Sequence, residues 1–80
     1  MRVPRQLSGE DLAQALAGLG YERTRQSGSH IRLTTQIRGE HHATVPDRKV
    51  LPLGTLKGIL RDVARHFACS ADEIVSRLFG

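Results

Sequence analysis

The chain is predicted to fold as a two-layer α+β domain, and three observations carry that expectation. Residues 12–19 and 56–67 place apolar side chains at helical spacing. The stretch between them alternates with the period of a strand and is broken by turn-forming residues. Every connection is short. The expected order is helix, three antiparallel strands and helix, with an additional short C-terminal helix.

The first helix starts at Ser8, which can cap it, with Asp11 at the reciprocal position and Leu7 and Leu12 at the spacing of a hydrophobic staple. Leu12, Ala15, Leu16 and Leu19 make its apolar stripe. Gly20 suits the residue just past a helix end, giving a helix over about 9–19. Tyr21 to Gln26 reads as a first strand poor in apolar residues, with its register open because Tyr21 and Thr24 differ in parity. Ser27-Gly28-Ser29 has turn composition.

His30 to Ile37 is the clearest strand. Ile31, Leu33 and Ile37 share one face, while His30, Arg32, Thr34 and Gln36 share the other. Arg38-Gly39-Glu40 reads as a three-residue turn into a third strand, His41 to Val45, which would pair Leu33 with Val45 and Thr35 with Ala43 before Pro46 ends it. After a basic connector, Thr55 is the expected cap of a helix carrying Leu56, Ile59, Leu60, Val63 and Phe67. Ser70 and Glu73 form a second capping-box pattern, opening a final helix with Ile74, Val75, Leu78 and Phe79 on its apolar side.

Eighty residues are expected to make one domain, 1–80, with a core unit over about 6–67 and a helical extension over about 70–79. A chain of this size buries only about 60–65% of its unfolded surface, which disfavours a deep enclosed site and suits an exposed face that meets a polymer. Twelve Lys and Arg against eight Asp and Glu give a net charge of +4, and the sequence pI of about 10.2 points to an anionic partner. Three aromatic residues supply a base-stacking platform poorly, so contact with a phosphate backbone is the expected mode. The single Cys69 excludes an internal disulfide and fits a reducing, cytoplasmic setting. No apolar targeting region or membrane span is visible.

The candidate chemistry centres on His30, which follows a flexible turn and projects from the face opposite the apolar one, among arginines. An ordinary surface histidine is the plain alternative. In the expected register His30 and His42 lie about six positions apart, roughly 20 Å, and His41 and His42 point to opposite faces. No metal site or cofactor is therefore expected. His66 reads as a surface partner of Asp62, four residues earlier. Ser27 and Ser29 lack the setting of a nucleophile and are turn residues or donors to a phosphate. Gly28 could expose backbone amides to an anion. RNA carries its own nucleophile, the 2′-hydroxyl, so a histidine able to move protons near neutral pH supplies part of what its cleavage needs.

Ser8-Gly9-Glu10-Asp11-Leu12, Leu19-Gly20-Tyr21, Gln26-Ser27-Gly28-Ser29-His30, Val45-Pro46 and Gly54-Thr55-Leu56 with Ile59-Leu60 occur in this order over residues 6–66. In this succession the chain resembles the HicA (YcfA-like) toxins. The resemblance implies a fold similar to the double-stranded RNA-binding domain, metal-independent mRNA interferase activity, and neutralisation by a HicB-like antitoxin. It also implies that His30 is the general acid or base acting on mRNA. Arg25, Arg32, Arg48 and Lys49 would hold the backbone, and Ser27, Gly28 and Ser29 would shape the phosphate site. Many relatives carry a histidine shortly after the proline that ends the third strand. Here Asp47-Arg48-Lys49 follows Pro46, so contacts made there fall to Arg48 or Lys49, which bind phosphate but do not readily shuttle protons. The alternative is a non-catalytic RNA-binding module of the same fold.

Overall fold

A computed structural model describes residues 1–80. The elements are α1 (Gly9–Ala17), β1 (Glu22–Ser27), β2 (His30–Thr35), β3 (His41–Pro46), α2 (Leu53–His66) and α3 (Ala71–Phe79). The strands form one antiparallel sheet in the order β1-β2-β3. The helices cover one of its faces and the other is open, which is the expected α+β architecture.

Helix α1 begins as its sequence requires. The Ser8 side chain accepts from the Asp11 amide at 2.9 Å, and Asp11 accepts from the Ser8 amide at 3.3 Å. Past its end the Tyr21 N–H donates to the Leu16 carbonyl and the Gly20 N–H to Ala17, a Schellman arrangement with Gly20 in the left-handed region at φ +85°. Leu12 and Leu16 are fully buried against Ile31, Leu33, Val45, Leu56, Leu60, Val63 and Ile74 in one core cluster. Ile74 brings α3 into that cluster, while Val75, Leu78 and Phe79 pack around it. At Ser70 only half of the expected capping box forms, the Glu73 amide donating to the Ser70 hydroxyl.

Two local expectations are corrected. The pairing of β2 with β3 sets Ile31 opposite Val45, Leu33 opposite Ala43 and Thr35 opposite His41, two residues from the expected register. The connection is five residues long, with Arg38 and Gly39 both at positive φ. Strand β2 ends at Thr35 because its hydroxyl accepts from the Ile37 amide at 3.1 Å and diverts the backbone. Ile37 is left exposed, draped over Gly20. Because the slip is an even number, the facing of each side chain survives. Helix α2 starts three residues earlier than Thr55 implied. Pro52 is its N-cap, with no side-chain capping bond, and the Leu56 amide closes the first turn on the Pro52 carbonyl.

In β1, whose register the sequence left open, the conflicting parities are explained by a bulge at Thr24. Arg23 faces Leu33 and Arg25 faces Arg32, so two steps on β1 oppose one on β2. Arg23 consequently turns toward the helices, where its guanidinium grips Glu10 of α1 and holds that carboxyl below the usual range. Arg25 and Ser27 turn to the open face.

Candidate nucleic-acid interface

The site is built on the hairpin between β1 and β2. Ser27 and His30 are directly paired, leaving Gly28 and Ser29 as a two-residue loop. Gly28 stands at φ +58° and Ser29 has a negative φ, the signs of a type II′ turn, which takes glycine at its first central position. This turn launches β2 with His30 on the open face. Beyond it, the Asp47 N–H donates to the Ser29 carbonyl at 2.6 Å, and the Gln26 amide donates to the Asp47 carboxylate at 3.0 Å. The hairpin is thereby tied to the chain leaving β3.

Strand pairing arranges the open face in rows. Ser27, His30 and Pro46 form the first, and Arg25, Arg32 and Thr44 the second. In the third, hydroxyls and a ring form a chain across all three strands, from Thr24 to Thr34 at 3.1 Å and from Thr34 to His42 at 2.8 Å. Arg25, Ser27, His30, Arg32 and Thr44 line a shallow concavity of about 330 Å³ with no apolar side chain in its wall.

Two features set this concavity apart. Arg25 and Arg32 lie directly opposite each other, an unfavourable placement for like charges, and no carboxylate lies within 4.0 Å of either. His30 is exposed and makes no hydrogen bond to the protein, whereas each of the other three histidines is held in place. An accessible imidazole between a hydroxyl and a pair of uncompensated guanidinium groups can exchange protons with a bound anion while the arginines hold its charge.

Of the expected contact residues, the structure brings together Arg25, Ser27, His30 and Arg32. Gly28 and Ser29 make the adjoining turn. Arg48 and Lys49 are exposed on the connector beyond Pro46, outside the concavity. Thr44 was missed. Its outward parity is legible in the sequence, but only the true register sets it opposite Arg32.

The remaining histidines serve the other face or the far row. His30 and His42 lie four positions apart in the pairing, rather than six. His66 is not the partner of Asp62. Its ring stacks on His41 at 4.5 Å between centroids, and its Nε2–H donates to the Ile37 carbonyl at 2.9 Å. Asp62 instead meets His41 Nε2 at 3.2 Å and Arg65 at 3.5 Å. With its proton on Nε2, His41 donates to Asp62 and accepts from the Tyr21 hydroxyl at 2.7 Å. No three His, Cys, Asp or Glu side chains converge as metal ligands would.

Burial, with the Asp62 charge adding to it, pushes the Tyr21 phenol up from 10.0 to about 12. The native state therefore keeps a proton that the unfolded chain releases, and stability present below pH 10 is expected to fall between pH 10 and 12, by an amount on the order of 2 kcal/mol. Chemical denaturation across that window checks this. Tyr21→Phe is expected to flatten the slope, and an equally steep fall in the variant would refute the assignment.

Fold and face together define a basic two-layer α+β domain with an imidazole-centred, arginine-flanked concavity on an open sheet. The family model described as HicA toxin of bacterial toxin-antitoxin matches residues 9–64, and the chain belongs to that family. Membership makes it the toxin of a toxin–antitoxin system and implies an antitoxin partner. No curated protein and no solved structure matches the chain. No helix is long and apolar enough to cross a membrane.

Proposed function

We propose that this toxin is an endoribonuclease, an mRNA interferase, in which His30 is the general acid or base. The single observation that carries the reading is the accessible His30 imidazole set beside the uncompensated Arg25–Arg32 pair in one polar concavity. A phosphate bound by the two guanidinium groups would bring the neighbouring ribose against the ring. The 2′-oxygen attacks phosphorus, the bond from phosphorus to the 5′-oxygen breaks, and the products are a 2′,3′-cyclic phosphate and a 5′-hydroxyl. One proton leaves the 2′-hydroxyl and one joins the departing 5′-oxygen. His30 handles one of these transfers and solvent water the other. Ser27 and Thr44 offer hydroxyl donors to the non-bridging oxygens, and the Gly28–Ser29 turn fixes His30 at the hairpin end. Arg48 and Lys49 extend the phosphate contacts past Pro46.

The succession from α1 to α2 is also the element order of a double-stranded RNA-binding domain, to which α3 is added, in keeping with a nucleic-acid partner. A HicB-like antitoxin would silence the enzyme by covering this face, and acidic side chains on it would complement the arginines. Incubating the purified protein with an RNA and with the DNA of the same sequence tests the chemistry. The RNA is expected to be cut to cyclic-phosphate ends and the DNA to survive. RNA bound but left whole would support the non-catalytic RNA-binding module instead, and cleavage of the DNA would rule out the 2′-hydroxyl as nucleophile.

The arginine pair gives a second expected result. Arg32→Thr removes a like-charge contact and introduces a good strand former, so stability should rise by about 0.2–1 kcal/mol. RNA binding should weaken at the same time, with the dependence of log K on log salt shallower by about 0.7. Parallel melting and binding titrations check both. A variant that gained stability without losing affinity would remove Arg32 from the interface.

A further inference from the structure

Cations without counter-charges also occur away from the sheet face. Arg2, Arg5 and Lys57 line a second concavity of about 350 Å³, with Met1, Val3 and Leu53 as its apolar wall. The sequence brings them together through two backbone bonds. The Leu51 N–H donates to the Leu7 carbonyl at 2.7 Å and the Gly9 N–H to the Arg48 carbonyl at 2.9 Å. These lay the N-terminal segment along the connector and set its arginines beside the first turn of α2, where Lys57 follows.

The lining of the concavity carries no counter-charge, and Asp72, which shares a neighbouring hollow with Met1 and Arg2, is paired with the amino terminus. The first turn of α2 holds no acidic residue, and no carboxylate lines the concavity. Glu10 is engaged by Arg23, Asp11 by Ser8, Asp47 by Gln26, Asp62 by His41 and Arg65, and Asp72 by the chain's amino terminus. Arg48 and Lys49, also exposed and unpaired, lie on the segment that leaves β3 after Pro46 and enters α2 at Leu53, a residue of the second concavity. A small anion needs only one such site. Unpaired cations at Arg25 and Arg32, at Arg48 and Lys49, and at Arg5 and Lys57 suit a ligand with negative charge repeated along its length. A nucleic-acid backbone has that property, and point contacts by lysine and arginine are how it is held without regard to sequence.

We infer that Arg2, Arg5 and Lys57 form a second, non-catalytic phosphate-contact site, which holds the RNA strand beyond the segment lying at His30. The inference rests on RNA as the partner of the first site. It also accounts for how a shallow concavity with no aromatic wall retains its substrate, because the affinity is spread along the strand.

The test uses a His30→Ala background, so that RNA stays whole, and a single-stranded RNA of about 15 nucleotides. Arg2→Gln, Arg5→Gln and Lys57→Gln are each expected to make the slope of log K against log salt shallower by about 0.7, and the triple variant by about 2. Arg77→Gln, at an unpaired cation in the last turn of α3 that lines neither concavity, should leave the slope unchanged. With an RNA of about four nucleotides, whose few phosphates are taken up at the first concavity, the three substitutions should have no effect on binding. Unchanged slopes with the longer RNA overturn the inference, and so does an equal fall caused by Arg77→Gln. Failure of the protein with His30 intact to cut RNA would overturn the nuclease reading alone, because the slopes are measured without cleavage.

Discussion

His30→Ala is expected to slow RNA cleavage by about 10²–10⁴-fold, the usual contribution of a positioned proton-transfer group, while changing stability by no more than about 0.5 kcal/mol. The two halves of that expectation come from the same structural fact. The His30 side chain is exposed on the open sheet face and bonded to nothing in the protein, so removing its ring costs the fold almost no packing and no hydrogen bond. His42, two rows away, is the informative comparison. It is held by Thr34 at 2.8 Å and lies outside the concavity, so His42→Ala should disturb the hydroxyl chain but leave cleavage near its normal rate. Measured turnover on one RNA substrate, with thermal melts of both variants, decides the matter. Cleavage at an undiminished rate by His30→Ala would remove the histidine from the chemistry. Equal losses in the two variants would mean that the whole face, rather than His30, is responsible.

The largest expected effect on the fold comes from Gly9→Ala. Gly9 is the first residue of α1, where alanine would ordinarily be a better helix former. Here its α-carbon lies against the end of β3, and an added methyl would be driven into the Pro46 carbonyl oxygen and the Asp47 backbone. Relief requires α1 to lift from the sheet, stretching the bond from the Gly9 N–H to the Arg48 carbonyl. Overpacking of this kind costs roughly 1–3 kcal/mol and the lost bond about 1 kcal/mol more. In an 80-residue domain that should lower the melting temperature by more than about 10 °C. The same substitution at Gly58, exposed within α2 with open space around it, should instead stabilise by about 0.5–1 kcal/mol. Opposite signs at two helical glycines would confirm that the constraint is the close approach to β3. A destabilisation at Gly9 no larger than about 0.5 kcal/mol would refute it. Activity provides a second readout, because the strand end pressed by Gly9 leads into Asp47, whose amide ties the Ser29 turn in place.

The helices were legible because their signals are local. Ser8 and Asp11 lie three residues apart, and Gly20 closes α1 through bonds spanning at most five residues. The alternation through His30, Arg32 and Thr34 is equally local and placed His30 correctly before any register was known. Thr55 misled because its capping propensity is only a local preference. The chain before it is anchored by Leu51, fully turned into the core, and Pro52 in an extended conformation could begin the helix without a side-chain bond. The register of β3 failed because it depends on how the 36–40 connection folds, and two residues there adopt left-handed conformations, one of them an arginine.

By itself the sequence determined the order of the elements, the face on which His30 stands and the excess of positive charge, since each follows from spacing along the chain. Tertiary structure decided which side chains meet. The bulge at Thr24 sent Arg23 to Glu10 and Arg25 to the open face, the true register put Thr44 opposite Arg32, and packing of α2 on the sheet stacked His66 on His41. The same packing folded the N-terminal arginines onto the start of α2. These are contacts between residues distant in sequence. Their energies depend on the closure of turns and the fit of one layer on another, and no periodicity along the chain encodes them.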